Sequence, residues 1–189
     1  TPSDRTVAVK IYMNQAVAFR NMEKYLRGDK RFRNFKSDRR SVIQEWCKKE
    51  YRNLDKASRV VGSPETVGYE DNILVMEFLG EQGVPYPRLK EVEIQNPDQA
   101  IEQVLNGIVK LWNQEEIVHG DLSEYNMLVT ARGDLEWIDF SQGVHRTHPE
   151  AETLLERDVK NIADFFHKQG SDTDPQNACE RVFQEVEDL

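Results

Sequence analysis

Only two cysteines, Cys47 and Cys179, occur in 189 residues, far apart and without a C-x-x-C neighbour. That scarcity argues against a disulfide framework and a thiolate metal cage, and it predicts reduced core thiols in a cytoplasmic protein. Long hydrophobic runs are missing as well: nothing approaches the ~18 apolar residues a membrane span needs. No signal peptide is visible. Positive charge is in short supply, with 25 Lys and Arg against 34 Asp and Glu and a net charge of -9. No global field therefore recruits DNA or other nucleic acid, and any such contact has to come from a local patch. Internal repeats and low-complexity tracts are absent. What is present is the composition of a soluble globular protein, 38% hydrophobic and 31% charged, long enough for one good core or two small lobes.

The pattern of elements is uneven along the chain. Thr6 to Tyr12, "TVAVKIY", alternates and is β-branched, which predicts a strand. A polar, basic stretch follows to about Ser37. Between Asp38 and Ser58, Val42, Ile43, Trp46, Cys47, Tyr51 and Leu54 fall at helical spacing. Two strands are expected at about Thr66–Tyr69 and Asn72–Phe78, joined by a tight turn at Glu70 and Asp71. "EQGVPYPRL" is broken by Gly and Pro and reads as a hinge or linker. "NPDQAIEQVLNGIVKLWNQE" predicts a helix with Asp98 as N-cap. "DLEWIDFSQGV" reads as a strand running into a turn. Two more helices close the chain, one stopped by Gly170 and one with Pro175 in its first turn. Strands gather in the first half and helices in the second, which argues for an α+β fold with two lobes.

Polar residues with chemical potential sit inside this frame. In "IVHGDLSEYNMLV", Asp121 and Asn126 stand five residues apart, with apolar runs on both sides to hold the loop. Lys10 lies in a strand, Glu50 in mid-helix and Asp139 at a strand end, in "WIDF". This is the chain order of the protein-kinase parts: a lysine for nucleotide phosphates, its glutamate partner, a catalytic-loop Asp with an Asn on metal, and a further metal-binding Asp. Each role suits its residue. Lys10 supplies a point charge and Glu50 holds the ammonium. Asn126 and Asp139 offer hard oxygen donors to Mg²⁺. Asp121 accepts a proton or orients a nucleophile.

Plainer readings compete with each of these. Lys10 alone is a solvated strand lysine, Glu50 a surface ion pair among Lys48, Lys49 and Arg52, and Asp139 a turn residue. His119 reads as a loop-bracing core histidine, and the His145-x-x-His148 pair lacks further metal ligands. The full set, in order and in the right element types, outweighs the single readings. Two departures stand out: "HGD" where kinases carry "HRD", and Asp139-Phe140-Ser141 where they carry "DFG". About a dozen residues separate Asp139 from the next helix, too few for a peptide-binding activation segment.

"HGDLSEYNMLV", "WIDFSQGV", "AVKIY", "KKEYRNL" and "HPEAETLLERDVKNIADFF" together resemble RIO-type atypical serine/threonine kinases of the type-1 subfamily. The resemblance covers nearly the whole chain. It implies a trimmed bilobal kinase fold, with an N-lobe over residues 1–79, a hinge at 76–80 and a C-lobe over 80–189. It implies ATP with Mg²⁺ or Mn²⁺ as cofactors and an ATPase switch in small ribosomal subunit maturation, acting on the pre-ribosomal particle. Carried over residue by residue, Lys10 is the ATP lysine and Glu50 its partner. Asp121 is the catalytic Asp, and Asn126 and Asp139 are metal ligands. Met76 is the gatekeeper, Glu77 and Leu79 offer backbone groups to adenine, and Leu128 and Ile138 floor its pocket. In the family the metal-binding Asp can take up phosphate, here Asp139. A Ser/Thr-Gly phosphate loop is expected upstream of Lys10 with an N-terminal helical domain, and a chain beginning at Thr1 is expected to bind ATP poorly.

Two alternatives stay open. One is a small-molecule phosphotransferase of the aminoglycoside or choline kinase type, although those usually carry "HPGN" where this chain has "SEYN". The other is a non-catalytic assembly scaffold. A local basic patch, Arg27 to Arg40, holds Arg27, Lys30, Arg31, Arg33, Lys36, Arg39 and Arg40 against Asp29 and Asp38. Phe32 and Phe35 interleave with these charges, so contact with ribosomal RNA is expected there, against the plainer reading of a solvated loop.

Overall fold

In the computed structural model, residues 5–13, 22, 25–26, 28–32 and 38–186 are described. Arg27, Arg33, Phe35 and Lys36 of the basic patch lie outside them. Strands β1 (Val7–Ile11), β2 (Thr66–Glu70) and β3 (Ile73–Glu77) form an antiparallel sheet in the order β1-β3-β2, with Lys10 opposite Leu74. Helix α1 (Arg39–Ala57) packs on this sheet and is capped by Asp38, whose side chain accepts from Ser41 N. Its inner stripe is not purely apolar. Lys49, Glu50 and Asn53 fall at core positions among Trp46, Cys47 and Leu54, and all are buried.

The segment read as a linker contains a hairpin. Strands β4 (Gly80–Glu81) and β5 (Val84–Pro85) are joined through Gln82 and Gly83, both at positive φ (52° and 79°). A two-residue turn needs that backbone to match strand twist, and Gly83 adopts it without strain. Gly and Pro mark such a turn and an open linker alike. Helix α2 (Pro97–Glu115) follows, and its N-cap is Asn96 rather than Asp98. Pro97 occupies the first turn, so the residue before it takes the non-helical conformation of a cap. Asp98 Oδ1 instead accepts from Ser171 Oγ at 2.6 Å and Asp172 N at 2.9 Å.

The rest of the chain adds two short antiparallel pairs. Strand β6 (Ile117–Val118) pairs with β9 (Val144–His145), and β7 (Met127–Val129) pairs with β8 (Leu135–Trp137). Helices α3 (Ala151–Lys168) and α4 (Pro175–Glu185) complete the layer. After α3, Gly170 (φ 96°) donates to His167 O while Ser171 N donates to Phe166 O, the paired closure of a left-handed glycine stop. Among the described residues no helix is long and apolar enough to cross a membrane.

Two buried clusters organise the packing. The smaller gathers Tyr12, Leu26, Phe32, Val42, Trp46, Cys47 and Leu74; the larger is built on α2, α3, α4 and the short strands. Helix α1 belongs to both, since its Leu54 and Ala57 lie in the larger cluster. Both cysteines are buried free thiols.

Candidate active site

The groove between the clusters is where the polar residues converge. Lys10 points from β1 and donates from Nζ to Glu50 Oε1 and Asp139 Oδ1, both at 2.9 Å. The plain reading of Glu50 as a surface ion pair fails, because Glu50 is 1% exposed. Helical periodicity puts it between Cys47 and Leu54 on the inner stripe, away from Lys48 and Arg52. Burial would lower the Lys10 pKa, but the two carboxylates outweigh it and hold the ammonium above its ordinary value. Burial pushes Glu50 up to about 7, with Lys10 pulling the other way. Asp139 experiences burial too, yet the Lys10 charge and a hydrogen bond from the Ser141 side chain keep it below the ordinary carboxylate range.

Asp139 sits at φ 62° and ψ 64°, a left-handed conformation that costs a non-glycine residue roughly 1–2 kcal/mol. Such strain clusters where a side chain has to be aimed. The second acid, Asp121, is fixed by Asn126, whose Nδ2 donates to Asp121 O at 2.8 Å and Oδ2 at 3.2 Å. Burial raises Asp121 against the pull of Arg157, and the Asp139 charge raises it further. His119 is the loop brace that its apolar flanks suggest. It is 2% exposed, with Nε2 3.1 Å from Ile138 O and Nδ1 accepting from Asp121 N at 3.3 Å. One imidazole thus ties the Asp121 loop to the segment that leads from β8 into Asp139.

The "HGD" spelling has a steric reason. Gly120 has φ 77°, and a Cβ there would stand 2.9 Å from Gln142 O. The two acid-bearing loops touch at this point, so a side chain is excluded twice over.

A cavity of about 310 Å³ opens beside this set. Lys10, Glu50, Met76, Glu77, Leu79, Leu128, Ile138 and Asp139 all line it, together with Ala8, Leu54, Pro64, Phe78 and Pro85. Its size and mostly apolar wall suit a flat heterocycle with polar groups at one end. Glu77 N donates to Glu65 O and Leu79 O accepts from Tyr86 N, so backbone bonds fix both residues at the edge of the cavity. Larger hollows, of about 590 and 570 Å³, lie at the Arg39–Arg40 end of α1 and beside Gln95–Gln103, but neither is lined by a lysine paired with carboxylates.

The donor set fits a magnesium ion that shares its shell with phosphates. Among the described residues no three His, Cys, Asp or Glu converge as a closed cage. Asn126 has its amide nitrogen taken by Asp121, so its oxygen is what it can offer a cation, and Asp139 supplies a carboxylate. One or two protein oxygens completed by waters and phosphates is the usual arrangement for Mg²⁺.

Sequence reasoning missed the residues that hold these loops. Asp158 on α3 is 2% exposed and accepts from Gly120 N at 2.7 Å and Leu122 N at 2.9 Å. Arg157 donates to Gly120 O, and Asn161 donates to Leu122 O. Helix α3 thereby grips the backbone on both sides of Asp121. Burial raises Asp158 to about 7, against its two backbone donors. The available signal was its place on the apolar stripe of Leu154, Leu155, Val159 and Ile162.

Comparison with known proteins bears directly on this arrangement. The family model described as the RIO domain matches residues 1–178. The chain belongs to the RIO domain family. It is 43% identical to a RIO-type serine/threonine-protein kinase Rio1 of Haloferax volcanii, over 95% of this chain and 61% of that protein. For the Rio1 of Methanocaldococcus jannaschii the figures are 42%, 87% and 57%. For that of Thermoplasma acidophilum they are 40%, 93% and 92%. The chain therefore spans about three fifths of the first two relatives. Serine/threonine-protein kinase RIO3 of Homo sapiens is 39% identical over 86% of the chain. The Rio2 kinase-ADP/Mg²⁺-phosphoaspartate complex from Chaetomium thermophilum superposes with a TM-score of 0.61 at 21% identity, covering 95% of this chain and 52% of that one. That likeness shows a protein-kinase-like fold, as the α+β expectation required.

Proposed function

We propose that this RIO-family chain carries the site of an ATP-dependent phosphotransferase that behaves as an ATPase and works on the maturing small ribosomal subunit. The observation that carries the reading is the Lys10–Glu50–Asp139 contact at the mouth of the apolar cavity, with Asp121 and Asn126 on the adjoining loop. In this reading adenine lies between Met76, Leu128 and Ile138, and Lys10 neutralises phosphate charge. Bound Mg²⁺ supplies further charge neutralisation to the phosphates. Asp121 orients the nucleophile. The short span between Asp139 and α3 offers no platform for a peptide, so the nearest nucleophile is the protein's own Asp139 carboxylate.

An Asp139 oxygen bonding to the γ-phosphorus, with cleavage of the bond to the β-phosphate oxygen, gives ADP and an acyl phosphate. Water then releases inorganic phosphate. The name of the superposed Rio2 complex, which includes ADP, Mg²⁺ and phosphoaspartate, supports the same chemistry by analogy. The test is to trap protein labelled from γ-labelled ATP and treat it with hydroxylamine. Label released by hydroxylamine and absent from Asp139→Asn is expected; label that resists hydroxylamine places the phosphate on Ser or Thr and contradicts the acyl step.

The ribosomal reading rests on the family and on the basic patch, which the described residues narrow. Phe32 is 3% exposed in the smaller core, so it cannot stack on a base. Arg31 is turned inward to Asp29 and Asn53. Lys30, Arg39 and Arg40 are the exposed cations of that stretch among the described residues.

A further inference from the structure

The nucleotide reading uses Glu50 of α1 but not its neighbours on the same stripe. Lys49 is fully buried, and an ammonium group in such a place is costly without partners. Its Nζ donates to Ser141 O at 2.7 Å and lies 4.5 Å from the Trp46 ring centroid. Burial lowers it to about 7, and either protonation state can still donate this bond. One turn further on, Asn53 is also fully buried. Its Nδ2 donates to Gly143 O at 2.8 Å and Phe140 O at 3.1 Å. Its Oδ1 accepts from Arg31 Nη1 at 2.9 Å, and Arg31 is itself held by the buried Asp29 carboxylate.

Three carbonyls of the turn that follows Asp139 are therefore held from one face of one helix. Buried backbone carbonyls in a tight turn need partners, and here side chains supply them, beside the turn's own bond from Gly143 N to Phe140 O. The turn is shaped for this grip: a Cβ on Gly143 would stand 2.8 Å from Asn53 Nδ2. The same helix holds Lys10 through Glu50. Asp139, at the head of the turn, has the left-handed backbone that neighbours must enforce.

We propose that Lys49 and Asn53 are positioning residues for Asp139, clamping its turn to α1 so that its carboxylate is aimed before metal or phosphate arrives. The inference rests on the phosphoryl-transfer reading and goes beyond it. Helix α1 and the Asp139 turn then move as one body. Glu50 cannot swing away from Lys10 unless the bonds to Phe140, Ser141 and Gly143 break.

The experiment compares two affinities in the full-length protein: metal-free ATP, and Mn²⁺ at saturating ATP, with the melting temperature recorded alongside. Lys49→Met keeps the stem against Trp46 and removes the donor. Gly143→Ala leaves both donors in place and crowds the Asn53 amide. Loss of a group that orients a metal ligand typically weakens metal binding by about 10–100-fold. Both variants are expected to weaken Mn²⁺ by about 10-fold or more while metal-free ATP binds as in the wild type. Parallel loss of both ligands would mark a merely structural role and overturn the proposal, as would unchanged Mn²⁺ affinity in either folded variant. If Lys49→Met does not fold, Gly143→Ala decides alone. A wild type that binds Mn²⁺ and ATP while the variants show no split overturns only this inference; a wild type that binds neither removes the phosphoryl-transfer reading and this one with it.

Discussion

His119 does the work of a joint between two loops, and its protonation state decides whether the joint holds. With Nε2–H donating to Ile138 O, the other nitrogen has to be the bare acceptor that receives Asp121 N–H. Burial lowers this imidazole from 6.5 to about 4. A depressed folded pKa contributes stability that is present above the unfolded value and lost as pH falls through the folded one. Between pH ~6.5 and ~4 the group should therefore cost the fold about 3 kcal/mol at most. Glu50 and Asp158, both raised to about 7, act with the opposite sign as pH falls from 7 toward 4.5. The comparison that isolates His119 is the difference between wild type and His119→Gln in urea melts across this range. The difference is expected to shrink toward acid pH, and a constant difference would contradict the assignment.

Residues with distinctive chemistry in a fixed order were legible. Lys10, Glu50, Asp121, Asn126 and Asp139 could be named from spacing and element type, and the structure puts Lys10, Glu50 and Asp139 in contact. Lys49, Asn53 and Asp158 could not, because a place on an apolar stripe signals burial and not what the side chain holds. Their role comes from the partner, a backbone carbonyl or N–H some 40 or 90 residues away.

At the scale of elements, strands and helices with strong periodicity were readable, and the hairpin β4–β5 was not. Its signal, Gly and Pro in a short run, marks both a linker and a turn. Of the caps, the one expected, Asp98, gave way to Asn96 through the proline between them, and Asp38 and Asp174, which had not been named, cap their helices through side-chain oxygens. Gly107 gives a test of packing inside α2. Alanine there would gain about 1 kcal/mol of helix propensity. Yet its Cβ would stand 2.9 Å from Trp137 Cζ2 and 3.0 Å from Val61 Cγ1. Overpacking of a buried indole costs typically 1–3 kcal/mol, so Gly107→Ala should lower stability by about 1 kcal/mol. Chemical denaturation reads this directly, and a stabilised variant would show that Trp137 can retreat freely.

Across the whole molecule, α1 joins the two cores and carries Glu50, Lys49 and Asn53 between them, so the groove and the packing share one helix. The acidic net charge leaves nucleic-acid contact to a local surface. If the exposed cations Lys30, Arg39 and Arg40 meet phosphates of small-subunit RNA, replacing all three with Ala should weaken binding and flatten its salt dependence by about one unit of slope per lost contact. Equal affinity and equal slope across a salt series would remove RNA from this face. The central claim, a metal-assisted phosphoryl-transfer site built on Asp139, is tested most directly by ATP hydrolysis under Mg²⁺ titration in the full-length protein and its Asp139→Asn variant. The amide keeps the shape and loses the charge that holds Lys10 and, in the proposed reading, a metal. Metal-dependent turnover is expected in the wild type and its loss in a variant that melts normally; near-normal turnover in that folded variant would rule out a site built on Asp139.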